Sequence, residues 1–278
     1  MKKRSEIRIR DPFVLVDREK GKYYLYGTTA LGNGLEAGAS MSVYESEDLE
    51  TFSDPIEVFD GKGCWGTLDY WAPEVHYYRG KYYAFVSMRS EEKPRATQIL
   101  VSDSPTGRFT PVSDKPATPW DRNCLDGTFW VENGVPYLVY SREWVEIGDG
   151  EFYAQRLSDD LTQTVGEPIR LFSASENPLV EPFADRGFEK CYVTDGPFLY
   201  LENGQLKMIW SSFVKGHNYC ILEATAPSVL GPWKHSEKSV FDQDGGHAMI
   251  FTDLTGKRKI AFHQPNIPPS ERAKFFDF

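Results

Sequence analysis

Five ionisable residues stand just ahead of apolar runs in this chain: Asp11 in RDPF, Glu74 in WAPE, Asp126 in LDG, Asp195 in DGPF and His247 in GGH. Four carboxyl groups and one imidazole are the side chains of proton transfer. Carboxylates gathered in one pocket repel, so at least one of them holds its proton to higher pH, as a general acid requires. Each residue also has an ordinary local reading. Asp126-Gly127 and Asp195-Gly196 are turn dipeptides, Asp11-Pro12 is a turn start, and His247 suits a satisfied core position. The recurrence of an ionisable group before five buried strands favours the chemical reading.

The elements that position these groups repeat along the chain. Five segments read as a polar residue, an apolar strand, a Gly turn and a second apolar strand. They are RDPFVLVDREKGKYYLYGT from Arg10, WAPEVHYYRGKYYAFVSM from Trp71, LDGTFWVENGVPYLVYSRE from Leu125, TDGPFLYLENGQLKMIWSSF from Thr194 and GHAMIFTDLTGKRKIAFHQ from Gly246. With turns at Gly21, Gly80, Gly134, Gly204 and Gly256, each reads as a β-hairpin. A second strand pair follows four of the five, beginning near Val43, Leu100, Gln155 and Leu222. The spacing between units, roughly 50 to 70 residues, suits propeller repeats with insertions. The sequence therefore predicts one all-β domain over residues 1–278, a five-bladed β-propeller with four-stranded blades around a central channel. The first strand of each blade lines the channel, so the five leading residues converge. About 12 residues follow Asn266, room for one strand near Lys274 to Phe278. Ser5 to Ile9 is expected to supply the missing strand of the fifth blade and close the ring.

Composition narrows the partners. Lys plus Arg is 31 against 41 Asp plus Glu, a formal net charge of −10, which argues against nucleic acid and anionic membranes. Aromatic residues make up 14%, which suits strands and surfaces that stack on flat ligand faces. No apolar run is long enough for a transmembrane helix, so no membrane partner is expected. The start, MKKRSEIRIRDPF, has no apolar stretch of a secretory signal, and the expected location is cytoplasmic. Cys64, Cys124, Cys191 and Cys220 include no C-x-x-C pair and read as reduced thiols.

Taken in order, Arg10-Asp11-Pro12-Phe13, Trp71-Ala72-Pro73-Glu74, Leu125-Asp126-Gly127, Asp195-Gly196-Pro197-Phe198-Leu199-Tyr200 and Gly245-Gly246-His247 resemble the motifs of glycoside hydrolase family 43. The resemblance runs from about Arg10 to Asn266. It implies inverting hydrolysis of glycosidic bonds with three carboxylates. Asp11 would be the general base, and Asp126 the group that orients the acid and adjusts its affinity for the proton. The family's general acid is usually a Glu opening the fourth blade, where this chain has Asp195. Asp is shorter by one methylene, about 1.5 Å of reach. An inverting pair stands about 6.5–9.5 Å apart, so that departure bears on the mechanism. Asp195 ranks first for the acid, Glu143 in Ser141-Arg142-Glu143-Trp144 second and Glu74 third; Glu181 is a further carboxylate nearby. A rim ion pair with Arg142 is the ordinary reading of Glu143.

The resemblance also makes His247 a channel histidine and a metal ligand. A structural calcium in the channel is the one cofactor considered, and none is required for catalysis. A lone imidazole among waters is the equal alternative. Trp65 and Trp144 are expected to form a sugar-stacking platform, with Trp71 beside it. Arg10 is expected to bind sugar hydroxyls or hold carboxylates, whereas Trp130 and Trp210 read as core. Arabinofuranosyl or xylosyl linkages in short plant-derived oligosaccharides are the substrate expectation. The alternatives are another propeller enzyme, a fructosidase or a glycoside phosphorylase, or a propeller that binds carbohydrate without cutting it.

Overall fold

The computed structural model describes residues 1–29 and 40–278. Five antiparallel sheets stand in a ring, each meeting its neighbours through its first strand. From the axis outward, blade one is Arg10–Asp17, Lys22–Thr28, Met41–Ser46 and Ile56–Phe59. Blade two is Leu68–Tyr78, Lys81–Arg89, Ala96–Ser102 and Thr110–Pro111. Blade three is Cys124–Glu132, Val135–Arg142, Glu151–Leu157 and Thr164–Ser173. Blade four is Asp195–Glu202, Gln205–Val214, Asn218–Ala226 and Lys234–His235. Among the described residues the fifth blade has three strands: Gly246–Thr252, Arg258–Gln264 and Arg272–Asp277.

Local chemistry explains the hairpins. Asn133-Gly134 and Asn203-Gly204 both hold positive φ at the two turn centres, 50° and 81° in one and 51° and 77° in the other. That is the primed turn whose twist matches the strands it joins. The second strands, such as KYYAFVSMR and QLKMIWSSFV, read as nearly unbroken apolar runs because both faces of each blade are covered. Between blades three and four, Trp210 is fully buried, with the rings of Phe152 and Phe172 at 5.5 and 5.7 Å. This bears out its core reading. Trp210→Ala is expected to cost about 3–5 kcal/mol through the cavity it leaves. Urea unfolding should show this as a lowered midpoint with an unchanged slope.

The N-terminus departs from expectation. Ser5 to Ile9 adds no strand to the fifth blade. Residues Arg4–Glu6 coil into a 3-10 turn, and Lys2–Lys3 pair with Thr51–Phe52 beside blade one. The Glu6 carboxylate accepts the Lys3 amide at 2.7 Å and holds that turn. Ile7 and Ile9 are buried, the Ile9 amide reaches the Glu271 carbonyl at 3.4 Å, and Arg8 and Arg10 meet the fully buried Glu271 carboxylate. The segment is therefore a strap joining blades five and one through side chains, because the turn shortens it before a ladder can extend.

Candidate active site

In all five blades the ladder of the innermost strand breaks at one place: between Arg10 and Phe13, Trp71 and Glu74, Leu125 and Thr128, Asp195 and Phe198, and Gly246 and Met249. Each break holds one residue at positive φ: Asp11 at 52°, Ala72 at 45°, Asp126 at 54°, Gly196 at 46° and His247 at 52°. A residue with a Cβ in that region costs on the order of 1–3 kcal/mol, a strain that clusters at functional sites. The bulge corrects the sequence register. The aligned position reads Asp, Ala, Asp, Gly, His, so it is ionisable in three blades and not in five. Asp195 stands one residue ahead of it and Glu74 two residues behind. The Pro and Gly that suggested turns mark these bulges instead.

The bulge amides are caught by the preceding blade. Thr28 Oγ1 accepts the Ala72 amide at 2.8 Å, Ser87 Oγ the Asp126 amide at 2.8 Å and Ser211 Oγ the His247 amide at 2.8 Å. His263 Nδ1 accepts the Asp11 amide at 3.2 Å. These four acceptors occupy one register position, opposite Arg10, Trp71, Asp195 and Gly246. The Gly196 amide turns to Asp126 Oδ2 at 3.2 Å, and Ser141, at the matching position, bonds Thr194.

His247 is the hub. Its Nδ1 lies 3.2 Å from Asp11 Oδ1, 3.7 Å from Asp195 Oδ1 and 3.9 Å from Asp126 Oδ2. The three carboxyl groups differ in electrostatics. Burial pushes Asp11 up, but His247, Arg10 and the Thr28 hydroxyl outweigh it and hold the group below the usual carboxylate range. Burial raises Asp126 well above that range, and the carboxylates of Asp195 and Asp11 add to the effect. Asp195 accepts the Tyr219 hydroxyl at 2.5 Å and is the most open of the three, with 26% side-chain exposure against 11% and 3%. Gly196 leaves the space for this hub, since a Cβ there would sit 2.6 Å from the His247 ring. Gly196→Ala is expected to displace His247 and remove most turnover while the propeller stays folded. Steady-state kinetics beside a far-UV spectrum checks this.

A cavity of about 400 Å³ opens above the hub. Asp11, Asp126, Asp195, Glu143, Arg10, Trp71, Trp144 and His247 all line it, together with Arg95, Arg186, Tyr219, Asn123 and Asn266. Glu143 caps a short helix, Trp144–Ile147, and burial raises its carboxyl. Its partner is Arg95 at 2.9 Å, not Arg142, which turns to Glu151 at 3.7 Å. The Arg95 guanidinium also stacks 3.8 Å over the Trp71 ring and reaches Asp69 at 3.0 Å.

Two expected residues lie elsewhere. Glu74 is buried away from the cavity and faces Nε2 of His76 at 3.0 Å, whose ring packs against Phe13, Phe85 and Phe129. Its place two residues past the bulge sends it there. Trp65 gives its indole N–H to Gln98 at 2.7 Å and packs edge-on against Trp120, so it is no part of the cavity wall. Tyr219, Arg95, Arg186 and His263 were not legible as site residues. Each lies at an ordinary strand or loop position and reaches the site only through tertiary contacts: Tyr219 across its own blade to Asp195, the others between blades or from an inserted hairpin.

The chain matches the family described as Glycosyl hydrolases family 43 over residues 5–275. It belongs to that family. Among solved structures, the endo-arabinase from Bacteroides thetaiotaomicron is similar with a TM-score of 0.90 and 42% identity, covering 99% of this chain and 96% of that one. Among curated proteins, alpha-L-arabinofuranosidase 43 of Humicola insolens is 26% identical over 197 residues, 63% of this chain and 37% of that protein. The extracellular exo-alpha-(1->5)-L-arabinofuranosidase of Streptomyces avermitilis is 26% identical over 215 residues, 70% of this chain and 43% of that protein. The matched region thus spans less than half of those two proteins. As a family 43 chain, this one keeps an Asp at the first and third blade motifs and has Asp195 where the fourth usually carries Glu.

A family 43 channel cation can be weighed against the residues. Asp126, Asp195 and His247 bring two carboxylate oxygens and one nitrogen within 4.8 Å of one another. Calcium takes six to eight oxygens. The set fits a cation whose remaining ligands are water, and His247 would be its protein nitrogen ligand. Among the described residues no helix is long and apolar enough to cross a membrane.

Proposed function

We propose that this protein is an inverting glycoside hydrolase that cleaves arabinofuranosyl or xylosyl linkages in oligosaccharides. One observation carries the reading: three carboxyl groups surround a single imidazole in one cavity, and their surroundings lower one of them, Asp11, and raise another, Asp126. A pair of titratable groups set apart in this way is the arrangement that divides base from acid.

Asp11, kept ionised, is the general base. It takes a proton from water as that water's oxygen bonds the anomeric carbon. Asp195 is the general acid and protonates the leaving oxygen as the glycosidic bond breaks. Burial and the neighbouring carboxylates of Asp195 and Asp11 let Asp126 keep a proton above the usual carboxylate range. Asp195, the more open, presents it to the substrate, and the Tyr219 hydroxyl steadies the carboxylate left behind. The oxygens of Asp11 and Asp195 nearest the imidazole stand at most about 7 Å apart, a bound that admits both the inverting and the retaining spacing and leaves the product anomer to decide between them. Glu143, fixed by Arg95, lines the same cavity as Trp144 and Arg186. A channel cation would be held at His247 and would offset the negative charge of the carboxylates around it.

The names of the similar proteins favour arabinofuranosyl substrates. The test is turnover of p-nitrophenyl α-L-arabinofuranoside, p-nitrophenyl β-D-xyloside and linear arabino-oligosaccharides, with the product anomer followed by proton NMR. Release of the inverted anomer supports the reading. Release of the retained anomer overturns the mechanism, and binding of these sugars without turnover overturns the hydrolase.

A further inference from the structure

Four blades offer an acceptor to a bulge amide in the blade that follows. In three it is a hydroxyl, from Thr28, Ser87 and Ser211. In the fifth it is the imidazole of His263, and the amide it catches belongs to Asp11. A backbone N–H can only donate, so Nδ1 is bare and the proton sits on Nε2. That proton is spent on Asn266 Oδ1 at 3.2 Å, which also accepts Arg10 Nη2 at 2.7 Å. Both Asn266 and Arg10 line the cavity. His263 is fully buried, and the Tyr219 ring stacks on it at 5.6 Å with 25° between planes. The hydroxyl of that same tyrosine holds Asp195.

The hydroxyls at this position in other blades take the bulge amide and reach at most a carboxylate beside it, as Thr28 does with the Ala72 amide and Asp11 Oδ2. An imidazole has a second nitrogen about 2 Å from the first, on the far side of the ring, and so spans from the bulge to the cavity wall. We propose that His263 is a positioning residue that fixes the Asp11 bulge, the Asn266–Arg10 edge of the cavity and the Tyr219 ring as one unit. This rests on the reading of Asp11 as general base. A shift of about 1 Å in such a group can cost about 10²-fold in rate.

The variant that isolates the role is His263→Ser, which keeps the hydroxyl acceptor of the other blades. Its kcat is expected to fall by about 10- to 100-fold, in a protein whose far-UV spectrum shows the folded propeller. Asn266→Ala, which cuts the link from the other end, should also lower kcat. The double variant should be no slower than His263→Ser, because both changes break one connection. Imidazole nitrogen NMR of the wild type should show the Nε2-protonated tautomer without any substrate.

A wild-type kcat in His263→Ser would overturn the proposal, as would fully additive losses in the double variant or an Nδ1-protonated tautomer. If His263→Ser does not fold, an unchanged kcat in Asn266→Ala would do the same. The tautomer keeps the two readings distinguishable: a wild type that hydrolyses none of the glycosides removes the catalytic role, while the Nε2 proton alone reports the arrangement.

Discussion

Asp11→Asn is expected to lower turnover on the order of 10³-fold, the typical contribution of a positioned general base. The substitution is nearly isosteric. An amide oxygen can still accept the Thr28 hydroxyl, which lies 2.7 Å from Asp11 Oδ2, and the backbone amide keeps its bond to His263. What disappears is the ability to take a proton from water. The stability of the variant carries a second signature. Burial disfavours the charge on Asp11, but His247, Arg10 and Thr28 together hold its carboxyl below the usual range. A folded-state value below the unfolded one adds stability above the unfolded pKa, near 3.9, and that stability is lost as pH falls through the folded value. Asp11→Asn should therefore melt at a lower temperature than wild type near neutral pH, with the gap closing in strong acid. Equal melting curves at every pH would contradict the electrostatic account of this carboxylate.

The second large effect concerns the leaving group. A variant without its general acid suffers most when the departing oxygen is a poor leaving group and least when it departs unaided. Asp195→Asn is expected to lose on the order of 10³-fold on arabino-oligosaccharides and far less on a 2,4-dinitrophenyl glycoside. Glu143→Gln should lose a smaller factor, about equal on both substrates, because its carboxylate is engaged by Arg95. The reverse pattern would transfer the acid role to Glu143, whose carboxyl burial also raises. The pH profile follows the same logic. Turnover needs Asp11 ionised, which extends activity into acid, and needs the proton that Asp126 keeps beside Asp195. Burial of Asp126, then the charges of Asp195 and Asp11, retain that proton above the usual carboxylate range. Activity should fall as pH rises past that point, and Asp126→Asn should move the alkaline limb.

The two variants also separate what each link of the chain contributes. Asp11 and Asp126 owe their place to a strained bulge, whose positive φ turns both side chains toward the axis. Asp195 owes its place to the residue ahead of that bulge, in a blade where Gly196 has given up a side chain to make room for His247. A longer acid at 195 would be aimed from the same backbone position. The shorter one brings the carboxyl close to the Asp126 group.

The sequence by itself determined the hairpins, the five repeats, the propeller and the identity of Asp11, Asp126, Asp195 and His247 as the converging groups. All of these rest on near-neighbour chemistry: period-two burial, Asn-Gly turns and a polar residue before an apolar run. Only the tertiary structure decided the rest. The bulge that removes Glu74 from the cavity is a break in ladder pairing, and pairing is not visible in either strand alone. The partner of Glu143 is Arg95, 48 residues away, and not the adjacent Arg142. Tyr219 reaches Asp195 across 24 residues, and His263 reaches Asp11 across 252. Trp65 turns to Gln98 inside its own blade, whereas the strap of Ile7 and Ile9, like the His263 contact, joins blade five to blade one. A closed ring brings the first blade against the last, and contacts made by closure have no local period to announce them.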